Sequence, residues 1–222
     1  MRRCVMMMLA AALAGCMGPS MSVGARIPSA RLVAMPAIGE TFTFTGNGDF
    51  LPRDDIAALA AQSINDSINY RLHVHGARTF TWETIHTLPN AHDFIEWSAH
   101  SMLQILLEVL GKSGQQHASV ADFRYRTDLG PWRHALDADF LLMSYFINGY
   151  DDRARAGSWT SSERAARRAL ACIVDLMDGR IVWCRYTDAQ TDVAFTRDGA
   201  QVIVDRLLES MLERGDRVGR GQ

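Results

Sequence analysis

The chain has 222 residues, with 23 basic side chains against 25 acidic ones and a formal charge of −2 at pH 7. That balance argues against a partner held through a nucleic-acid backbone, which demands a basic face. The length allows one domain with a full core, or at most two small ones, and a hydrophobic share of 48% is that of an ordinary globular protein.

The first sixteen residues say most about where the chain works. Arg2 and Arg3 precede an apolar run, Val5 to Leu13, that is too short to span a bilayer. Leu13-Ala14-Gly15-Cys16 follows, and it reads as a lipobox in which the small residues give a peptidase access and Cys16 is acylated. Such a lipid attaches a domain to a membrane without making it span. Met17 stands where an Asp would favour retention at the inner membrane of a Gram-negative cell. The expected location is therefore the inner leaflet of the outer membrane, facing the periplasm. The expected divisions are a leader over 1–15, a lipidated tether over 16–25, one globular domain over 26–215 and a frayed tail over 216–222.

Within the domain, Leu32-Val33-Ala34-Met35 predicts a first strand ended by Pro36, and Thr41 to Gly48 a loop or short extended piece. Ile56, Leu59, Ala60, Ile64 and Ile68 recur at helical spacing and predict a helix from Asp54, as a capping residue, to Tyr70. Thr79-Phe80-Thr81-Trp82 alternates and predicts a strand with Phe80 and Trp82 inward. A strongly apolar helix runs from Asp93 to Leu110, and Gly114 to Pro131 has no clean period. Phe140 to Ile147 is apolar on both faces, as a central strand is. Tyr150 to Glu163 reads as a polar loop. Ala169 to Tyr186 reads as a hairpin about Asp178-Gly179, and Ala200 to Met211 as a final helix. The order β-α-β-α-β-β-β-α predicts an α/β (α+β) fold: a single mixed sheet with a C-terminal β-hairpin and flanking helices.

Of four cysteines, Cys4 leaves with the leader and Cys16 carries lipid, so Cys172 and Cys184 remain. An oxidising compartment would suggest a bridge. A two-residue Asp178-Gly179 turn, however, sets Ile173 opposite Cys184 and puts Cys172 on the other face, which predicts two unbonded thiols. The same register predicts one buried face made of Cys172, Val174, Leu176, Ile181 and Trp183, packed on the last helix at Ile203 and Leu207.

Two stretches carry a resemblance. Ala135-Leu136-Asp137-Ala138-Asp139-Phe140-Leu141-Leu142 is similar to the segment leading into the central strand of a bacterial envelope family. Val174-Asp175-Leu176-Met177-Asp178-Gly179-Arg180-Ile181-Val182-Trp183 resembles that family's hairpin. The group holds the curli secretion lipoprotein, the lipoprotein activators of penicillin-binding proteins, the amino-terminal domain of the Tol-system translocation protein and many further proteobacterial lipoproteins. The last of these are the ones the chain resembles most. The resemblance implies an accessory protein in which Asp178, Gly179 and Trp183 are structural and no catalytic residue carries over. Tyr150 to Glu163 lacks the long alternating strands of the curli channel, so a barrel pore is not expected.

The residues that could carry chemistry are few. His92, Glu96 and His100 share a helix face at i, i+4 and i+8 and are candidate metal ligands, or else a solvated stripe. His73 and His75 flank Val74 near a helix end. Gly111-Lys112-Ser113-Gly114 has Leu106 where a phosphate loop needs its first glycine, and it follows a helix instead of opening one. Asp137 and Asp139 are either paired acids or a turn with one capping carboxylate, and the turn is the simpler account. Trp132, Trp159 and Trp183 read as core or rim aromatics. The sequence thus predicts no catalytic residue and no cofactor. It predicts a non-catalytic binding or accessory module in envelope assembly or transport, joined to the membrane by its lipid, docking an envelope protein and able to form homo-oligomers. The competing reading is a metal-dependent or other hydrolase built on the histidine face.

Overall fold

The computed structural model describes residues 20–22, 31–44, 50–111, 123–151, 167–188 and 197–216. The lipobox, Lys112 to Gly114, residues 152–163 of the expected loop with Trp159, and residues 217–222 of the expected tail lie outside them, while Asp216 ends the last helix. The elements are β1 Ser20–Ser22, β2 Leu32–Ala34, β3 Ile38–Phe44, β4 Phe50–Pro52, α1 Asp54–Val74, β5 Arg78–Thr79, α2 Trp82–His86, α3 Ala91–Gly111, α4 Gly130–Leu136, β6 Phe140–Asp151, β7 Arg167–Asp175, β8 Ile181–Asp188 and α5 Arg197–Asp216. They form one mixed sheet covered by helices on both faces, the α/β architecture that the pattern predicts.

The longest strand, β6, organises the sheet. On one side it pairs antiparallel with β7, which pairs with β8, and β1 lies antiparallel along β8 from Ser20↔Arg185 to Ser22↔Trp183. Those three residues belong to the expected tether. On its other side β6 is flanked by two parallel strands in succession, β2 along Phe140 to Leu142 and β3 along Tyr145 to Asp151. The break between them falls at Met35 to Ala37, where Pro36 has no N–H to give the ladder. The Ala37 N–H leaves the sheet and donates to Asn65 Oδ1 in α1 at 2.7 Å. Beyond the break, β2 is extended sideways by β5 and β3 by β4. At Gly39 a Cβ would lie 2.3 Å from the Phe146 ring, so the absence of a side chain lets that ring cross the neighbouring strand.

Both faces of the sheet are buried. On one, Leu142, Phe146, Ala171 and Ile173 meet Ala60, Ile64, Ile68 and Leu72 of α1 and Ile203, Val204 and Leu207 of α5. The four α1 residues stand four apart and form a single stripe. α1 begins after Arg53, with Asp54 inside the helix rather than capping it, and continues past Tyr70 to Val74. It stops at Gly76, φ +75°, with Ala77 N–H donating to Leu72 O and Gly76 N–H to His73 O, a Schellman ending. On the opposite face Leu141, Met143, Tyr145, Cys172 and Val174 pack under Phe94, Met102, Ile105 and Leu106 of α3 and Trp132 and Leu136 of α4.

Three expectations are corrected. The alternating Thr79 to Trp82 segment is a strand only over Arg78–Thr79, because Thr81 Oγ1 accepts from Thr84 N–H and starts α2 at Trp82. Phe80 and Trp82 still pack on the core. Tyr150 and Asp151, expected to open a loop, instead continue β6 and pair with β3, and Thr41 to Phe44 takes the extended of its two expected forms as the second half of β3.

The third correction concerns the thiols. Cys172 and Cys184 are directly paired across β7 and β8 and form a disulfide, with Cα atoms 4.1 Å apart. The hairpin closes through a longer turn than Asp178-Gly179 alone, with Asp175 N–H donating to Arg180 O and Gly179, φ +74°, near its end. That difference shifts pairing by two positions and leaves the faces unchanged. A bulge then makes Val182 the extra residue, since Val174 faces Ile181 while Ile173 faces Trp183. The bulge shifts the register by one, turns Cys184 toward Cys172, and sends Trp183 to the other face. Cys172, Val174, Leu176 and Ile181 share the α3 side, whereas Trp183 alone of the five packs with Ile203 and Leu207.

Candidate functional site

The best-defined group of charged side chains lies where β2, α4 and β6 begin or end together. α4 contains Leu129 at its N-cap, Pro131 in its first turn, and Trp132 and Leu136 facing the core, which leaves Arg133 and His134 outward. Its last turn closes with Ala138 N–H donating to Arg133 O and with Asp137 left-handed at φ 45°. A glycine is usual in that conformation, and an aspartate tolerates it. The turn throws the Asp137 carboxylate toward Arg31, which precedes β2, while Asp139 precedes β6.

Arg31 Nε donates to Asp139 Oδ2 at 2.8 Å and its Nη2 to Asp139 Oδ1 at 3.0 Å, a bidentate pair. Arg133 Nε reaches the same Oδ1 at 2.7 Å. Arg31 Nη1 donates to Asp137 Oδ1 at 2.8 Å, and Arg78 Nη2 donates to the carbonyls of Leu136 and Asp137. Hydrogen bonds from Arg31, then Arg133, hold the Asp139 carboxyl well below the usual carboxylate range, and the same contact raises the Arg31 guanidinium. The groups surround an open cleft of about 240 Å³ lined by Arg31, Gly130, Arg133, His134 and Asp137.

Asp137 and Asp139 are thus partners of arginines and not of each other. Asp139, ionised and with both oxygens occupied, is no proton shuttle near neutral pH. Because its carboxyl is held low in the fold, its contribution to stability is present above its unfolded pKa of about 4 and is lost as pH falls below that. Asp139→Asn should lower stability at pH 7 and flatten the acid limb of the stability curve below about pH 4. Urea midpoints measured across pH 3 to 7 check this, and parallel curves for the two proteins would contradict it.

The other candidates are placed plainly. His92 Nε2 lies 3.2 Å from Glu96 Oε1, the two side chains being 83% and 69% exposed, and His100 is exposed on the same helix. His73 is exposed in the last turn of α1 and His75 caps it. Among the described residues no group of three His, Cys, Asp or Glu side chains could hold a metal ion. Asp178 Oδ1 accepts from Arg180 N–H, and a Cβ at Gly179 would lie 2.4 Å from Tyr125 O, so both shape the hairpin turn. No described helix is long and apolar enough to cross a membrane. Arg31 and Arg133 escaped the sequence reading. They lie 102 positions apart, and only the parallel pairing of β2 with β6 brings them together.

The class that the fold defines is a mixed α/β domain with one sheet between two helical layers. No family model and no curated protein matches the chain. Among solved structures it is similar to the PelC dodecamer of Paraburkholderia phytofirmans, at 9% identity over 88% of this chain and 98% of that one, with a TM-score of 0.40. It is also similar to the LpoB C-terminal domain of Salmonella enterica, at 13% identity over 77% and 88%, TM-score 0.34. A third is the lipoprotein GNA1162 of Neisseria meningitidis, at 13% identity over 86% and 98%, TM-score 0.34. At these values the functional reading rests on the chain's own residues.

Proposed function

We propose that the chain is a non-catalytic accessory module of the cell envelope, anchored by lipid on Cys16 to the inner leaflet of the outer membrane. There it engages an envelope protein from the periplasm. The observation that carries this reading is the Cys172–Cys184 bridge, fully buried in the sheet. A cross-link of that kind belongs to an oxidising compartment and not to a reducing cytosol, and it argues for export independently of the leader. The cleft chemistry supports recognition over turnover, because its more buried carboxylate, Asp139, is committed to the guanidinium groups of Arg31 and Arg133. A tethered domain also meets membrane partners at high effective concentration.

Cys16→Ser tests the anchor. Labelled fatty acid should enter the wild-type chain and be absent from the variant, with the precursor left uncleaved or the domain released. Label persisting in the variant would end the assignment. The competing reading is a metal-dependent or other hydrolase that uses the face of His92, Glu96 and His100. A metal and hydrolase screen of the purified chain, followed by His92→Ala and His100→Ala, decides it, and an activity lost in either variant would replace the accessory reading.

A further inference from the structure

The cleft at the start of β2 gathers three guanidinium groups, Arg31, Arg78 and Arg133, against two carboxylates, and those carboxylates are held very differently. Asp139 is 28% exposed and takes three hydrogen bonds, from Arg31 Nε, Arg31 Nη2 and Arg133 Nε. It fixes the two arginines side by side, because one of its oxygens is shared between them. Asp137 is 75% exposed and takes one hydrogen bond, from Arg31 Nη1, with Arg78 Nη2 farther off at 3.8 Å. An ion pair so exposed contributes little, so a competing anion meets little resistance. The guanidinium pair beneath it is already ordered, which removes part of the entropy that binding would otherwise cost.

We propose that this cleft binds a compact oxyanion, a carboxylate or a phosphate, on Arg31 and Arg133, and that the Asp137 carboxylate is the group it displaces. Arg133 commits its Nε to Asp139, and no described hydrogen bond uses its terminal Nη fork, the geometry suited to a two-oxygen acceptor. His134 lines the same cleft and adds a polar ring. Gly130 also lines the cleft, and the adjacent Asp128 carboxylate, a further negative group at its edge, is turned to accept from Gly130 N–H at 2.8 Å. The cleft, of about 240 Å³ and open to solvent, has room for a group larger than one water molecule. This inference goes beyond the accessory role and holds whether or not the chain is acylated.

The test uses the full-length chain in non-ionic detergent, titrated at constant ionic strength with inorganic phosphate in one arm and acetate in the other. The readout is the Nε–H resonances of Arg31 and Arg133. Saturable shifts with a dissociation constant of roughly 1–10 mM are expected in at least one arm. Preference for phosphate assigns the site to phosphate esters, and preference for acetate assigns it to carboxylates. Asp137→Asn should tighten binding about fivefold by removing a like charge from the cleft. Arg133→Gln should weaken binding at least about tenfold. Arg133→Lys, which keeps the charge and loses the fork, should fall between and serves if the glutamine variant unfolds. Absence of saturation in both arms overturns the proposal. So does a folded Arg133 variant that binds like wild type, or an Asp137→Asn protein that binds no more tightly.

Discussion

Reducing the Cys172–Cys184 bridge is expected to lower the unfolding free energy by about 3 kcal/mol. The bridge closes a short loop, its cysteines being 12 positions apart, and the chain-entropy estimate for a loop of that length is about 3 kcal/mol. For a chain of this size the melting temperature should fall by roughly 6–12 °C. Both residues are fully buried in the core on the α3 side of the sheet, Cys172 beside Met143 of β6, so the replacement matters as much as the cross-link. Reduced wild type isolates the constraint. Cys172→Ala with Cys184→Ala adds lost packing, and the double serine variant should be worse again because it buries two hydroxyls. Urea unfolding of the four proteins should therefore rank oxidised, reduced, alanine and serine in descending order. A difference under about 1 kcal/mol between oxidised and reduced forms would mean that the Asp178-Gly179 hairpin persists in the denatured chain and that the bridge constrains little.

The same hairpin shows where sequence reasoning reaches and where it stops. Period and turn chemistry located β7, β8 and the turn between them, because alternation and Asp-Gly are local signals. The bulge at Val182 is not local. It lets both Val182 and Trp183 face the α1 and α5 layer, and no residue type marks it. One unmarked residue changed the prediction for both thiols and for Trp183. The long helices were legible for the opposite reason: Ala60, Ile64 and Ile68 repeat one signal at every turn, so an error of a few residues at either end changes nothing, whereas the short α2 and α4 have too few turns to show a period. The cleft was half legible. Asp137 and Asp139 stood out by position, while their partners come from the segment before β2 and from a short helix, and only the sheet's crossover connection unites them.

α4 is the part of that cleft most dependent on a single side chain. Trp132 is 1% exposed, its ring centroid is 4.5 Å from that of Phe94, and its Nε1–H donates to Pro89 O at 2.7 Å. It ties the seven-residue α4 to the loop before α3 and to α3 itself. A helix so short has almost no stability of its own, so its packing decides whether it forms. Trp132→Ala should cost about 3–5 kcal/mol for the buried ring, and it also leaves the Pro89 carbonyl without its donor. Trp132→Phe keeps a ring against Phe94 and loses the hydrogen bond, so a cost of about 1–2 kcal/mol is expected. Urea unfolding gives both values. Because Arg133 is the next residue, the alanine variant should also loosen the hold of Arg133 on Asp139 and weaken oxyanion binding, while the phenylalanine variant should leave that binding close to wild type. An alanine cost under about 1.5 kcal/mol would show that Leu129 and Leu136 suffice to dock the helix, and Trp132 would then be a filler of the core and not the anchor of the site.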